Sequence, residues 1–219
     1  MKKRQNDSEN TASIVTIDPS EPQPDKIRAA VGILNRQGTL IFPTSGLYGL
    51  GVDAFSQRAV RRVYAIKARP QHKPLLVLLS GVADLDRLVR SIPEYARGLM
   101  NLWPGGITLV FEAAPTVPVE LTAGTGKIGV RLPAHPVAKA LVEQFGGPIT
   151  GTSANLAGVP ATNQASTLDA ALCREVDLIV DAGTLAGGSG STIVDVTGWP
   201  IKVIRDGAVN HAAIQAAMK

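Results

Sequence analysis

Cysteine is almost missing from this chain: Cys173 stands alone among 219 residues, so neither an internal disulfide nor a cysteine metal cage can form. Histidine is nearly as scarce. His72, His135 and His211 lie far apart without Cys or Glu partners at zinc-ligand spacing, so no protein-held metal is expected. No run approaches the roughly 18 apolar residues that cross a bilayer. Nor does an apolar segment follow Lys2-Lys3-Arg4 in the manner of a secretion signal. A soluble protein of a reducing compartment, the cytoplasm, is expected, with no membrane partner. Two nucleotide motifs are absent as well. Gly187 to Thr192 reads GGSGST, without the lysine of a Walker A loop, and Gly49-Leu50-Gly51 lacks the third glycine of a dinucleotide fingerprint.

What is present is ample apolar material: 45% hydrophobic against 18% charged residues excludes a disordered chain and suffices for one domain with a substantial core. Charge is unevenly spread. The 22 Lys+Arg and 18 Asp+Glu leave a net +4. Between Ala54 and Ala83 lie Arg58, Arg61, Arg62, Lys67, Arg69 and Lys73 and no acid. Without those six the remainder is 16 basic against 18 acidic, or −2, so this segment sets the sign of the whole. That pattern suits a local anion site, or a solvated helix face with cations near its C-terminus.

Residues 1–24 are polar, carry Pro19, Pro22 and Pro24, and read as a flexible tail. Short apolar runs then alternate with amphipathic stretches. Strands are predicted at 39–42, 75–79, 107–111, 128–132, 178–181, 193–196 and 202–205. Helices are predicted at 26–36, 57–67, 83–90, 94–102, 136–145, 168–174 and 210–218. In the second helix Val60, Val63, Tyr64 and Lys67 share one face, Ser56 can cap the start and Pro70 lies beyond the end. The alternation predicts one α/β domain with a twisted, mixed sheet flanked by helices.

Three loops border these elements. Thr44 to Gly51 is glycine-rich and suits a tight backbone path past a ligand. Lys67-Ala68-Arg69-Pro70, with Lys73, gathers cations suited to a triphosphate. Thr150 to Asn155 offers hydroxyl and amide groups. Each, taken alone, reads equally well as an ordinary turn or cap.

Together they are far more specific. The run PTSGLYGLG, then KARP with a downstream KP, WPGGITLVF at Trp103 to Phe111, IGVRLPAHP at Ile128 to Pro136, TSANLAG at Thr152 to Gly158, STIVDV at Ser191 to Val196 and IRDG at Ile204 to Gly207 resembles the YrdC-like family in order and spacing. The resemblance spans roughly residues 25–208 and implies a single YrdC-like domain with a central basic concave site. It sets residues 209–219 apart as a C-terminal helix packed on that domain. It also implies the reaction of an L-threonylcarbamoyladenylate synthase: L-threonine, bicarbonate and ATP, with Mg2+, give threonylcarbamoyl-AMP and pyrophosphate. The product would pass to the tRNA threonylcarbamoyl-transfer machinery for N6-threonylcarbamoyladenosine. Because the chain ends soon after IRDG, the short form is expected.

Carried over residue by residue, the family signature falls on Lys67, Arg69, Ser153 and Asn155 as the reaction centre. The resemblance adds Lys73, Lys127 and Arg205 to these four as ATP contacts. It places Thr44, Gly46, Tyr48, Arg131, Gly151 and Ser191 around threonine, with Arg131 as the carboxylate clamp. The chemistry needs cations and positioning, not a protein nucleophile. The chain departs from the family pattern at Gly46, often threonine, and Leu78, often histidine, which bears on amino-acid choice; Ala68 replaces a usual glycine and Gly106 a usual proline. Two alternatives stay open: a paralogue that binds nucleotide, tRNA or double-stranded RNA, and an enzyme acting on a different carbamoyl adenylate.

Overall fold

The structure, a computed structural model, describes residues 12–218. Its strands divide between two sheets. The first runs in the order β1 (Ser13–Thr16), β9 (Leu178–Asp181), β2 (Leu40–Pro43), β3 (Tyr48–Gly51), β8 (Thr152–Ser153). Its first three strands are parallel and its last two antiparallel to their neighbours. The second sheet is β11 (Lys202–Arg205), β10 (Thr192–Asp195), β5 (Ile107–Glu112), β6 (Lys127–Arg131), β4 (Leu76–Leu78), β7 (Ile149–Thr150). It is mixed throughout, with β10 parallel to β5 and β4 parallel to β6. Helices α1 (Pro24–Asn35), α2 (Gln57–Ile66), α3 (Glu94–Met100), α4 (Val119–Thr122), α5 (Pro136–Phe145), α6 (Ala170–Glu175) and α7 (His211–Ala217) flank them. α1 packs on α5, α2 on α4, and α3 on α7.

The mixed α/β reading holds, but the single sheet does not. The chain passes from one sheet to the other at Gly151, between β7 and β8. There its N–H bonds Leu76 O at 3.0 Å, and a Cβ would sit 2.8 Å from Leu78 Cγ and 3.1 Å from Leu76 Cδ1. Only glycine lets the backbone cross β4 so closely. The tail reading is corrected too. Residues 1–11 lie outside the described residues, but Ser13–Thr16 pairs in register with Leu178–Asp181 as the edge strand β1. Alternation over four residues was too short to show this, and its partner lies over 160 residues away. The glycine-rich loop predicted at Thr44 to Gly51 contains a strand instead: Tyr48–Gly51 has no β-branched residue, but its pairing with β2 and β8 makes it β3.

The helix readings hold within a turn. Ser56 caps α2 by accepting from Ala59 N–H at 3.3 Å, and Asp169 caps α6, which therefore starts at Ala170. The exception is 83–90, a six-residue 3-10 helix over Val82–Arg87. Phe42, Tyr48, Leu50, Leu78 and Phe111 are among the side chains buried between the layers. Among the described residues no helix is long and apolar enough to cross a membrane.

Candidate active site

A cavity of about 520 Å³ lies where the two sheets face each other. Sheet alternation builds its floor. Register places Asp195 of β10, Val110 of β5, Gly129 of β6 and Leu76 of β4 side by side in one row. Residues two apart on a strand share a face, so Lys127 and Arg131 flank Gly129, and Ile193 and Thr108 adjoin the row. The β2–β3 turn, Ser153, Arg69 and Ser189 to Ser191 complete the wall. The result is an apolar floor with a cationic rim.

Four cations, Arg69, Lys127, Arg131 and Arg205, line the cavity against one carboxylate, Asp195. That carboxylate is already engaged: Lys127 Nζ donates to its Oδ2 at 2.8 Å and to Thr197 Oγ1 at 2.7 Å, while Thr197 N–H and Oγ1 donate to Oδ1. Arg131 is buried, donates from Nε to Gly105 O at 2.7 Å and reaches Ser45 Oγ through Nη2. Burial, with the nearby Arg205 charge, pushes its guanidinium down to about 10, leaving it charged at neutral pH, and among the described residues it has no carboxylate partner. Arg205 donates to Ser191 O from Nη2 at 2.6 Å and from Nε at 3.1 Å, and Ser191 Oγ lies 2.8 Å from Thr108 Oγ1. Arg69 is held by Lys73 O at 3.0 Å and Pro74 O at 2.8 Å, and burial lowers it below the ordinary arginine value.

The structure brings the four signature residues together, in unequal roles. Arg69 and Ser153 line the cavity; Lys67 and Asn155 lie behind it. Lys67 is only 2% exposed. Its ammonium donates to Ser153 O, Asn155 O and, at 3.3 Å, Asn155 Oδ1, which also receives Ser153 Oγ. Lys67 therefore pins the 153–155 turn against the end of α2. Burial and the Arg69 charge push its pKa down to about 8. The intervening Ala68 sits at φ +46°, in the left-handed region, which explains why glycine is common there.

All six residues of the expected threonine set, Thr44, Gly46, Tyr48, Arg131, Gly151 and Ser191, line the cavity, but several of their polar groups are engaged elsewhere. Thr44 Oγ1 is spent inside its own turn on Leu47 O at 2.7 Å. Tyr48 is fully buried. Its hydroxyl lies 2.7 Å from Gly183 O and 3.0 Å from Asp181 Oδ1, and accepts from Ala182 N–H at 3.0 Å. Gly46 lies against a neighbouring loop: its carbonyl accepts Gly187 N–H at 2.9 Å, and a Cβ would fall 1.7 Å from Gly187 O. Leu78 is buried under Gly151 and is not part of the wall, so the polar group missing there does not alter the cavity directly. Lys73 is exposed and lies off the cavity, which its carbonyl serves indirectly by holding Arg69. Polar lining residues to which the resemblance assigns no role include Ser45, Thr108 and Asp195. For Thr108 and Asp195 the signal was strand alternation; for Ser45 there was none, since its partner Arg131 comes from the other sheet.

The Sua5/YciO/YrdC family model, described as telomere recombination, matches residues 32–207. The chain is 37% identical over 186 residues to a threonylcarbamoyl-AMP synthase of Pyrococcus abyssi, covering 84% of this chain and 54% of that one. It is 35% identical over 202 residues to a putative threonylcarbamoyl-AMP synthase of Mycobacterium tuberculosis, covering 91% of this chain and 93% of that one. The crystal structure of P. abyssi Sua5 complexed with L-threonine superposes with a TM-score of 0.87 at 32% identity, over 93% of this chain and 60% of that one. The chain thus spans about half the length of the Pyrococcus relative and nearly all of the mycobacterial one. With the family model covering more than three quarters of its length, and the fold and cationic cavity in agreement, the chain belongs to the Sua5/YciO/YrdC family.

Proposed function

We propose that this chain is a threonylcarbamoyl-AMP synthase, a nucleotidyltransferase that joins L-threonine, bicarbonate and ATP into threonylcarbamoyl-AMP and pyrophosphate. The observation that carries the reading is the cavity itself: four cations against one pre-engaged carboxylate, over an apolar floor, in about 520 Å³. A triphosphate and an amino-acid carboxylate supply the missing negative charge, and an adenine ring suits the floor of Leu76, Val110 and Ile193.

In this reading the threonine amine and bicarbonate condense to a carbamate with loss of water. A carbamate oxygen then attacks the α-phosphorus, and the bond to the departing pyrophosphate breaks. Arg131, fixed by Gly105 and Ser45, receives the threonine carboxylate with its remaining N–H groups. Arg69, Lys127 and Arg205 stabilise the charge that accumulates on the phosphate oxygens. Ser153 orients the nucleotide, held by the Lys67–Asn155 network behind it. Among the described residues no group of three or more His, Cys, Asp or Glu is arranged for a metal ion. Magnesium belongs here to the nucleotide substrate, where it would neutralise phosphate oxygens. The product would serve tRNA N6-threonylcarbamoyladenosine formation through a separate transfer machinery.

The test is incubation of the purified protein with ATP, magnesium, labelled bicarbonate and L-threonine. Threonine-dependent label in threonylcarbamoyl-AMP, with equimolar pyrophosphate, is expected, and Arg131→Ala should raise the threonine requirement steeply. Pyrophosphate release that ignores threonine but follows another amino acid would move the reading to a different carbamoyl adenylate. No product under conditions where an active synthase works would overturn it.

A further inference from the structure

A second cleft lies between the end of α1 and the outer face of α2 and shares no lining residue with the first. It has a volume of about 280 Å³ and is lined by Ile33, Arg36, Gln37, Gly38, Arg58, Arg62 and Asp177. Three guanidinium groups meet one carboxylate there, a net +2. Arg62 is paired: Nη1 donates to Asp177 Oδ2 at 2.8 Å and Nη2 to Glu175 O at 2.8 Å. Asp177 also accepts Thr39 N–H at 2.7 Å and Thr39 Oγ1 at 2.8 Å, so its charge is shared among several donors. Among the described residues, neither Arg36 nor Arg58 has an ion-pair partner.

The placement of Arg58 is not explained by the helix that carries it. Following the Ser56 cap, it is the second residue of α2, where the helix dipole favours acids, and α2 has no acid in its first turn. Arg58 and Arg62 are also four residues apart on one face, where like charges repel. Arg36 closes α1 and suits that helix's C-terminal end, but its guanidinium adds a third positive charge to the same cleft. Arg61, by contrast, is drawn away to Glu120. Three guanidinium groups gathered on one concavity, against the local preferences of α2, leave more positive charge than Asp177 alone offsets.

We infer that this cleft binds a phosphate dianion, either inorganic phosphate or the terminal group of a small phosphomonoester. Charge selects the class. A phosphomonoester with its second pKa near 6 carries close to two negative charges at neutral pH and matches the net +2, inorganic phosphate reaches that charge at mildly alkaline pH, and each phosphodiester carries one. Shape agrees: the arginines converge on a concavity with Asp177 among them, while a polynucleotide backbone calls for cations spread along an extended track.

The test uses the full-length chain, uniformly labelled with ¹⁵N, titrated with inorganic phosphate and separately with glycerol phosphate at constant ionic strength. Saturable shifts are expected at the amides of Gln37, Gly38 and Arg58. The double variant Arg36→Ala/Arg58→Ala, which removes two exposed side chains, should weaken this response roughly tenfold or more. Arg58→Gln alone should weaken it less. Amides of the first cavity, such as Gly151 and Gly190, report separately on phosphate bound there and should respond alike in both proteins. Shifts at 37, 38 and 58 that grow linearly without saturating, or that persist unchanged in the double variant, would overturn the inference. So would a short RNA duplex that moves these amides when phosphate and glycerol phosphate do not. Because the two clefts share no residue, failure here leaves the synthase reading intact.

Discussion

Gly46→Ala places a methyl group where the structure has a neighbouring backbone. The added Cβ would fall 1.7 Å from Gly187 O and 2.8 Å from Gly187 C, whereas ordinary contact begins near 3.4 Å. One of the two loops must therefore retreat by roughly 1.7 Å. Neither contact is the flexible end of a side chain, so the movement has to come from the backbone. It would break the Gly187 N–H to Gly46 O bond, now 2.9 Å. Loss of that bond amounts to about 0.5–1.5 kcal/mol, and overpacking adds about 1–3 kcal/mol. A net destabilisation of about 1.5–4.5 kcal/mol corresponds to a Tm drop of roughly 3–18 °C for a chain of this size. Because Gly46 and Ser45 belong to the turn that meets Arg131, the threonine KM should also rise more than the ATP KM. Thermal unfolding and initial-rate measurements read both effects. Gly81→Ala is the control: no atom lies within 4 Å of its Cβ position and its φ is an extended −165°, so stability should change by less than about 0.5 kcal/mol. A Gly46→Ala protein melting within about 1 °C of the parent, with unchanged threonine dependence, would refute the close approach and with it the explanation for glycine at this position.

Tyr48→Phe should destabilise the fold by about 1–3 kcal/mol, because the buried Ala182 N–H loses its acceptor. The threonine KM should stay constant; a large rise in that KM without a change in Tm would show the hydroxyl serving the ligand instead. Ala68→Gly should be neutral to slightly stabilising. Relief of the left-handed φ, about 1 kcal/mol or more, slightly exceeds the added freedom of the unfolded chain, about 0.4–1 kcal/mol; a urea-measured loss above about 0.5 kcal/mol would contradict this. Lys67 has a folded pKa of about 8, below its ordinary 10.5, so the unfolded chain binds more protons between those values. Its contribution to stability is therefore least below pH 8 and rises toward pH 10.5, by at most about 3 kcal/mol. Urea unfolding of the parent and of Lys67→Met at about pH 7.5 and about pH 10 should show the parent gaining relative to the variant. A parallel or opposite trend would mean that the carbonyls of Ser153 and Asn155 hold the ammonium charged throughout.

Local patterning made much of this molecule legible. The β-branched runs at 107–111 and 178–181 form strands because extended backbone and burial suit those side chains. The α2 stripe and its Ser56 cap express helical periodicity and an orphan N–H, both local matters. The alternation of Lys127, Gly129 and Arg131 could have indicated a common face once β6 was recognised. Less legible were features whose cause lies far along the chain. β1, short although β-branched, takes its place through β9, and β3 is a strand through β2 and β8 although YGLG favours it only weakly.

The sequence by itself determined the residue types of the chemistry: a cation cluster, a hydroxyl-and-amide turn, and an arginine within a strand. Those depend on side-chain identity and short spacing. The tertiary structure alone decided their roles. It divided the strands at Gly151 and so created a cavity between two sheets, put Lys67 and Asn155 behind the wall, spent the Tyr48 hydroxyl on β9, and brought Ser45 to Arg131. It also turned part of the basic excess, Arg58 and Arg62, away from that cavity toward a cleft with Arg36. The physical reason is that burial and partner choice are set by which segments meet in space, and contacts across tens to over a hundred residues leave no trace in local periodicity.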